Sequence, residues 1–395
     1  MTVTSQDAST PARTLDQVAG VSSVPVDPCP ATPTRHRFDP ALSRETVERW
    51  RKWQHGKLSP MRRIGDSALR WYARRELPRF GGLVTRYGRL EDFAFWNDAP
   101  IVEIRDRFHG HRVRLNPRDF YHRIWYYFGS YHELEILSVI KAGLRPGDCF
   151  VDGGANIGLI SMFAAGIVGR SGLVQSFEPF PPIFDELQFH IEVNGLTTVR
   201  LHRMGLSDVP SEMEIRLPGH GNLAAATFSP IPDRYAGVVS SGGVIPIVRG
   251  DDAIDADDPR PLMIKLDVEG FEVRAVGGLA RVIEKRLPAV VAEANAELLD
   301  LNGTPPELMW DMFVRVGYMP FAMDRGGFRS RHRLWLHPMP REWIRHERDV
   351  VFLHPKSAMW ARFQRTIQPP GRYWKHLGVL PGTRRSWGSP PTAKA

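Results

Sequence analysis

Residues 150–158 read FVDGGANIG, and the fold turns on how that stretch is understood. Two apolar residues followed by an acid have the character of a strand end. The small residues behind them have that of a tight turn leading into a helix. A glycine-rich turn between a strand and a helix is where a doubly wound sheet holds a nucleotide. The stretch departs from G-x-G-x-x-G, however, because Asp152, Gly154, Asn156 and Gly158 stand at alternate positions. Asparagine is among the few non-glycine residues that tolerate positive φ, so Asn156 can hold a turn position usually left to glycine.

The residues around this turn alternate in the same way. Short apolar stretches at CFVD (149–152), LVQSFEP (173–179), RLHRMGLSD (200–208), LMIKLDVEG (262–270) and AVVAEAN (289–295) read as strands. Between them lie amphipathic segments. One runs from Pro181 to Asn194 with Ile183, Leu187 and Ile191 on one face; another carries Val273, Val276, Leu279, Val282 and Ile283. Strand, helix and strand at these lengths predict an α/β fold, a doubly wound and mostly parallel sheet with helices on both faces. From Asp208 to Leu262 the rhythm breaks into MEIRL, AAATF and VIPIV, which predict a β-rich insertion of short antiparallel strands near the strand ends.

Ligands of a parallel sheet bind beyond the carboxyl ends of its strands. Asp152, Glu178, Asp208, Asp267 and Glu269 all stand at or just after such ends, which makes a strongly negative crevice. A pyrophosphate wants backbone N–H groups and no facing carboxylate. S-adenosylmethionine, with a sulfonium and an ammonium and no phosphate, suits Asp152 at the turn. Glu178 comes twenty residues after Gly158, where an acid can accept bonds from both ribose hydroxyls. In LMIKLDVEG, Lys265, Asp267 and Glu269 fall on one face if the strand stays regular that far. Three charges in a nearly apolar strand are costly to bury unless paired, and a functional cleft is one place where that cost persists.

The motifs DGGANIG, FEP, VNG, LSD and IKLDVEGFE occur in the order and approximate spacing of the FkbM family of S-adenosylmethionine-dependent methyltransferases, which the chain resembles over about residues 130–300. YHELEI (131–136) is similar to the family's acid-bearing segment before the first strand. The resemblance implies the class I methyltransferase (Rossmann-like) fold and O-methylation of a hydroxyl on a sugar or natural-product-like small molecule. It implies that Asp152, Gly154, Asn156 and Gly158 line the methionine end of S-adenosyl-L-methionine, Glu178 the ribose, and Ser207 and Asp208 the adenine. It carries over no base. On the chemistry of the fourth strand, Asp267 is the first candidate and Glu269 the second, with Lys265 as their charge partner. Magnesium held by Asp267 and Glu269 is an alternative, but two carboxylates alone make no metal site.

Outside the core, residues 1–40 are rich in Ser, Thr, Pro and Asp and predict a disordered N-terminal tail. Residues 41–140 read as a helical and small-strand region. There Ser59-Pro60 caps a helix on which Met61, Ile64, Ala68, Trp71 and Tyr72 recur at helical spacing, with short strands around 101–104 and 113–115 and a helix over 133–142. Residues 141–355 form the expected methyltransferase domain. The composition, 42 % apolar and 24 % charged, is that of a soluble globular protein. The net charge of +8 is matched by eight Lys and Arg without an acid from Lys356 to Ala395, which places the basicity in a C-terminal tail. Its aromatics allow a contact with nucleic acid or an anionic surface, though a solvated or partly docked extension is the reading preferred. Cys29 and Cys149 are far apart and lack metal-ligand neighbours, and no stretch is apolar for long enough to span a bilayer. The expected setting is therefore the reducing cytoplasm, with a small-molecule acceptor, no membrane insertion and no metal. His220 reads as a solvated loop residue. Two other readings stand beside the enzyme: a cofactor-binding protein without turnover, recruited through its tail to RNA or another anionic partner, and an NAD-dependent oxidoreductase.

Overall fold

A computed structural model describes residues 40–218, 227–228, 239–325 and 333–369, all within one compact unit. The expectations for residues 1–39, His220, residues 224–226 of the AAATF stretch and residues 370–395 lie outside the described residues.

The chain opens with helices α1 (Pro40–Lys57), α2 (Pro60–Arg74), α3 (Phe80–Tyr87) and α4 (Phe93–Trp96). A hairpin of β1 (Val102–Arg105) and β2 (Arg112–Leu115) follows, then α5 (Phe120–Phe128) and α6 (Leu134–Gly143). Ser59 caps α2 as its position predicts, its side chain accepting from Arg62 N ahead of Pro60 in the first turn. The alternating half comprises β3 (Cys149–Gly153), α7 (Leu159–Val168), β4 (Leu173–Phe177), α8 (Pro181–Val193) and β5 (Val199–His202). After β6 (Gly205–Ser207), β7 (Ser211–Pro218), β8 (Val239–Arg249) and α9 (Gly250–Ala253) the chain returns through β9 (Leu262–Leu266), α10 (Glu272–Gly278), α11 (Ala280–Arg286) and β10 (Ala289–Glu293). It ends with α12 (Ala296–Leu301), α13 (Pro306–Arg315), β11 (Met319–Arg325), β12 (Leu334–Pro338), β13 (Asp349–Leu353) and α14 (Trp360–Phe363).

The main sheet has the order β12-β11-β13-β10-β9-β3-β4-β5. From β5 to β10 every pairing is parallel, and β13 enters antiparallel between β10 and β11. The chain runs outward from β3 through β4 to β5, then returns to β9 beside β3. The order therefore reverses between β3 and β9, and a ligand crevice is expected above that pair. This is the class I methyltransferase arrangement, with one further strand, β12, at the far edge. Strands β3, β9 and β10 are buried on both faces, so their residues are almost all apolar. Val151, Ile264 and Val290 pack towards α10, α11 and α13, while Phe150, Met263 and Val291 pack towards α6, α7 and α14.

Two boundaries differ from the sequence reading. The stretch RLHRMGLSD is two strands: β5 stops at His202, and β6 joins a separate sheet of order β6-β8-β7, parallel to β8. Asp208 thus follows a strand of the small sheet, where β7 and β8 pair antiparallel as expected. The expected tail also begins too early. Residues 356–369 belong to the fold, with Met359 and Phe363 fully buried, Arg362 paired with Asp148, and Leu336 bridged to Ile367. The apolar residues at 359 and 363 hold this segment where its charges predict solvation.

The N-terminal region packs on the sheet's helices and shares a core with them: Trp50 and Tyr126 lie in one cluster with Met162, Leu187 and Ile191. Polar ties fix the contact. Asn194 Oδ1 accepts from Arg112 N at 2.8 Å, and its Nδ2 donates to Arg112 O at 2.8 Å. Buried His190 accepts from Arg114 N at 2.7 Å and faces Ile157 O at 2.8 Å, so α8 joins the β2 hairpin to the glycine-rich turn.

Candidate active site

The turn after β3 has the backbone its residues predict: φ is +73° at Gly154, +50° at Asn156 and +89° at Gly158. A Cβ on Gly154 would lie 1.8 Å from the Asp267 carbonyl oxygen, so the glycine also lets the turn close on the end of β9. The N–H groups of the turn face inward. Those of Gly154 and Ala155 donate to Phe177 O at 3.0 and 2.9 Å, that of Asn156 to Glu178 Oε2 at 2.9 Å, and that of Ile157 to Asn156 Oδ1 at 2.7 Å. A pyrophosphate would need those donors.

Glu178 has both oxygens engaged, because Oε1 accepts from Phe180 N at 2.9 Å. Burial pushes its carboxyl up to about 7, against these two backbone bonds. Each oxygen keeps a second lone pair for a ribose hydroxyl. On the far side, Ser207 Oγ donates to Asp208 Oδ1 at 3.0 Å, and Arg274 lies 3.6 Å from the same oxygen. Gly278 of α10 touches Ser207, where a Cβ would meet the Ser207 carbonyl oxygen at 1.9 Å.

Asp152 and Lys265 are register partners on adjacent strands. Asp152 is fully buried: Oδ2 accepts from Ser161 Oγ at 2.6 Å, and Oδ1 lies 3.4 Å from Lys265 Nζ. It stands beneath the turn, and the expectation that it opens onto the ligand is corrected to that extent: a carboxylate on a buried strand needs a cation beside it. Lys265 Nζ also donates to Gly154 O at 2.8 Å and lies 3.3 Å from Asp267 Oδ2. Burial would lower the Lys265 ammonium, but Asp267 and Asp152 outweigh it and raise it, so it stays charged. Lys265 thus pairs with Asp152 and Asp267 and ties both to the turn.

The alternation expected of Lys265, Asp267 and Glu269 does not persist. Strand β9 stops at Leu266, and Glu269 has φ of +52°. The turn over 268–270 is held by buried Glu272, which accepts from Val268 N at 2.7 Å and Gly270 N at 3.1 Å. The insertion touches this turn, with Thr227 Oγ1 donating to Glu269 O at 2.7 Å and Phe228 meeting Phe271 edge to face. Burial pushes the Asp267 carboxyl up, but Lys265 and Arg348 outweigh it and hold it below the usual carboxylate range. Glu269 goes the other way, to about 8, by burial and the charges of Asp267 and Glu272.

Four further residues complete the cluster. Arg348 Nε donates to Glu293 Oε1 at 3.1 Å, and Nη1 lies 3.1 Å from Glu133 Oε1. Tyr131 OH donates to Glu133 Oε2 at 2.9 Å. Buried Glu293 Oε2 has no N–H or O–H donor, and its hydrogen-bond neighbour is the Asp267 carboxyl. Burial, then the charges of Asp267 and Glu269, push Glu293 well above the usual carboxylate range. The rings of Tyr121, Trp125, Tyr131 and His132 gather on this side at centroid separations of 4.9–6.5 Å. Among the described residues no three His, Cys, Asp or Glu side chains are grouped to hold a metal ion, so the magnesium alternative finds no third ligand there.

The acceptors gathered here, with the turn's amides already engaged, match a ligand rich in donors and positive charge, which is what S-adenosylmethionine presents. No protein-family model matches the sequence. The hexuronic acid methyltransferase AglP of Haloferax volcanii is 27 % identical over 169 residues, covering 42 % of this chain and 63 % of that protein. Among solved structures, methyltransferase FkbM of Methylobacillus flagellatus aligns over 60 % of this chain and 53 % of its own at 16 % identity, with a TM-score of 0.31. An S-adenosylmethionine-dependent O-methyltransferase of Thermotoga maritima aligns over 57 % and 65 % at 11 % identity, also with a TM-score of 0.31. These superpositions are loose, and the fold assignment rests on the strand order. With that order, the motifs on its strand ends and the similarity in sequence, the chain has the class I S-adenosylmethionine-dependent methyltransferase fold and resembles the FkbM family.

Proposed function

We propose that the protein transfers a methyl group from S-adenosylmethionine to a hydroxyl of a sugar or another hydroxyl-bearing small molecule. The observation that carries the reading is the polarity of the crevice between β3 and β9: its turn turns its amides inward, and the strand ends around it supply carboxylates. The same observation disfavours a nicotinamide dinucleotide. The AglP similarity makes a uronic acid or a glycan containing one the first acceptor class to screen.

The cofactor supplies an electrophilic methyl group, and the acceptor oxygen attacks it in line. Asp267 is the base, because Lys265 and Arg348 keep it ionised at neutral pH. Glu269, pushed up to about 8 and so mostly protonated near pH 7, is suited to donate a hydrogen bond to the acceptor; only its small ionised fraction could act as a base there. Lys265 and Arg348 position the acids. The aromatic rings exclude water from the reacting oxygen.

The test is transfer of labelled methyl to candidate acceptors by the native chain and by Asp267→Asn. Turnover lower by about 10²–10⁴-fold, with cofactor binding retained, is the expected result. Full activity in Asp267→Asn would remove it as the base.

A further inference from the structure

Helix α2 presents its apolar face to solvent. Met61, Ile64, Ala68 and Trp71 share one side at helical spacing, and Met61, Ile64 and Trp71 are 77, 66 and 54 % exposed. The other side fixes the helix in that orientation. Ala73 is fully buried, and Asp66 accepts from the hydroxyls of Tyr126 at 3.1 Å and Tyr127 at 2.7 Å. The neighbouring α3 exposes Tyr87, with Arg86 over its ring.

The surroundings are strongly basic. Residues 49–90 contain twelve Lys and Arg and two acids, and of the twelve Arg49, Lys57 and Arg89 pair with Glu45, Asp98 and Asp92 outside that stretch. Both acids are turned inward, Asp66 to the tyrosines and Glu76 to Arg107 at 2.7 Å and Arg325 at 2.6 Å. Arg62 and Arg75 are exposed beside the stripe, and the Arg75 guanidinium lies 4.3 Å from the Trp71 ring centroid. The balanced charge over residues 1–355 hides this excess, so the basicity is not confined to the tail.

We propose that the α2 face docks the protein on an anionic lipid surface, with Met61, Ile64 and Trp71 entering the headgroup boundary and the flanking arginines meeting the lipid phosphates. Charge complementarity selects this occupant. An interfacial helix combines an apolar stripe containing Trp with a cationic rim, and anionic lipid rewards both. A second copy would set the same arginine-rich surface against itself. Residues 370–395 carry five Lys and Arg and no acid, so they repel the face too. Nucleic acid meets the arginines but offers Met61 and Ile64 nothing apolar to bury them.

The experiment is co-sedimentation of the full chain with phosphatidylcholine vesicles, with and without phosphatidylglycerol, compared with the triple variant Met61→Ser/Ile64→Ser/Trp71→Ser. Thermal unfolding of both checks that the variant folds, which the exposure of these side chains predicts. The expected result is sedimentation of the native chain with the anionic vesicles only, weakened at least tenfold in the variant. Equal sedimentation of native and variant would assign the binding to the basic tail and overturn the proposal. A native chain that ignores the vesicles would overturn it as well, whether sedimentation velocity and RNA mobility shift then assign the face to a second copy or to nucleic acid.

Discussion

Replacing His190 with glutamine should destabilise the protein much more at pH 7.5 than at pH 5.0. Arg114 N donates to Nε2 at 2.7 Å, so the ring proton is on Nδ1 and is donated to Ile157 O at 2.8 Å. A second proton would displace the Arg114 bond. Burial, reinforced by the charges of Arg114 and His122, holds the imidazole at about 4, against about 6.5 in the unfolded chain. Between those values the folded state binds fewer protons than the unfolded state. The contribution is therefore complete above about pH 6.5 and is lost as pH falls towards 4, at about 1.4 kcal/mol per pH unit. By pH 5.0 about 2 kcal/mol is gone. The native profile alone will not show this, because Glu178 and Glu272, each pushed up to about 7 by burial, gain stability as pH falls. The difference between native and variant removes them. Urea unfolding at both pH values should give a variant penalty about 2 kcal/mol larger at pH 7.5. An equal penalty at both would refute the neutral, doubly bonded imidazole.

Lys265→Met should cost about 3–5 kcal/mol in urea unfolding, because Asp152 and Asp267 lose their shared cation; a loss below 1 kcal/mol would show that the acids do not depend on it. Gly154→Ala should lose at least about 1–2 kcal/mol from its left-handed backbone alone. The Asp267 carbonyl, 1.8 Å from the added carbon, must also move, so calorimetry should find cofactor affinity lowered at least tenfold. Unchanged affinity would dissociate the turn from the binding site.

Much of the site was legible because its residues carry local signals. Positive φ at Gly154, Asn156 and Gly158 follows from glycine and asparagine chemistry, and the inward face of α8 from the spacing of Ile183, Leu187 and Ile191. The cluster of Glu133, Glu293 and Arg348 was not, because the pairing of β10 with β13 brings Arg348 to a residue 55 positions away and its ion pair with Glu133 crosses more than two hundred positions of the chain. One signal was available: Glu293 closes a buried strand just as Asp152 closes β3, and the rule that flagged one flags the other. Glu269 was misplaced because strand periodicity was carried past Leu266, where capping by Glu272 turns the backbone. The exposed side of α2 was hidden for a different reason, since spacing identifies an apolar face without saying what covers it.

The central claim is that the crevice between β3 and β9 accepts a cationic nucleoside. Isothermal calorimetry of the native chain with S-adenosylmethionine and with NAD, repeated on Glu178→Gln, tests it most directly. The account predicts saturable micromolar binding of S-adenosylmethionine, weakened at least tenfold in the variant, and no binding of NAD. Saturable binding of NAD with none of S-adenosylmethionine would contradict it.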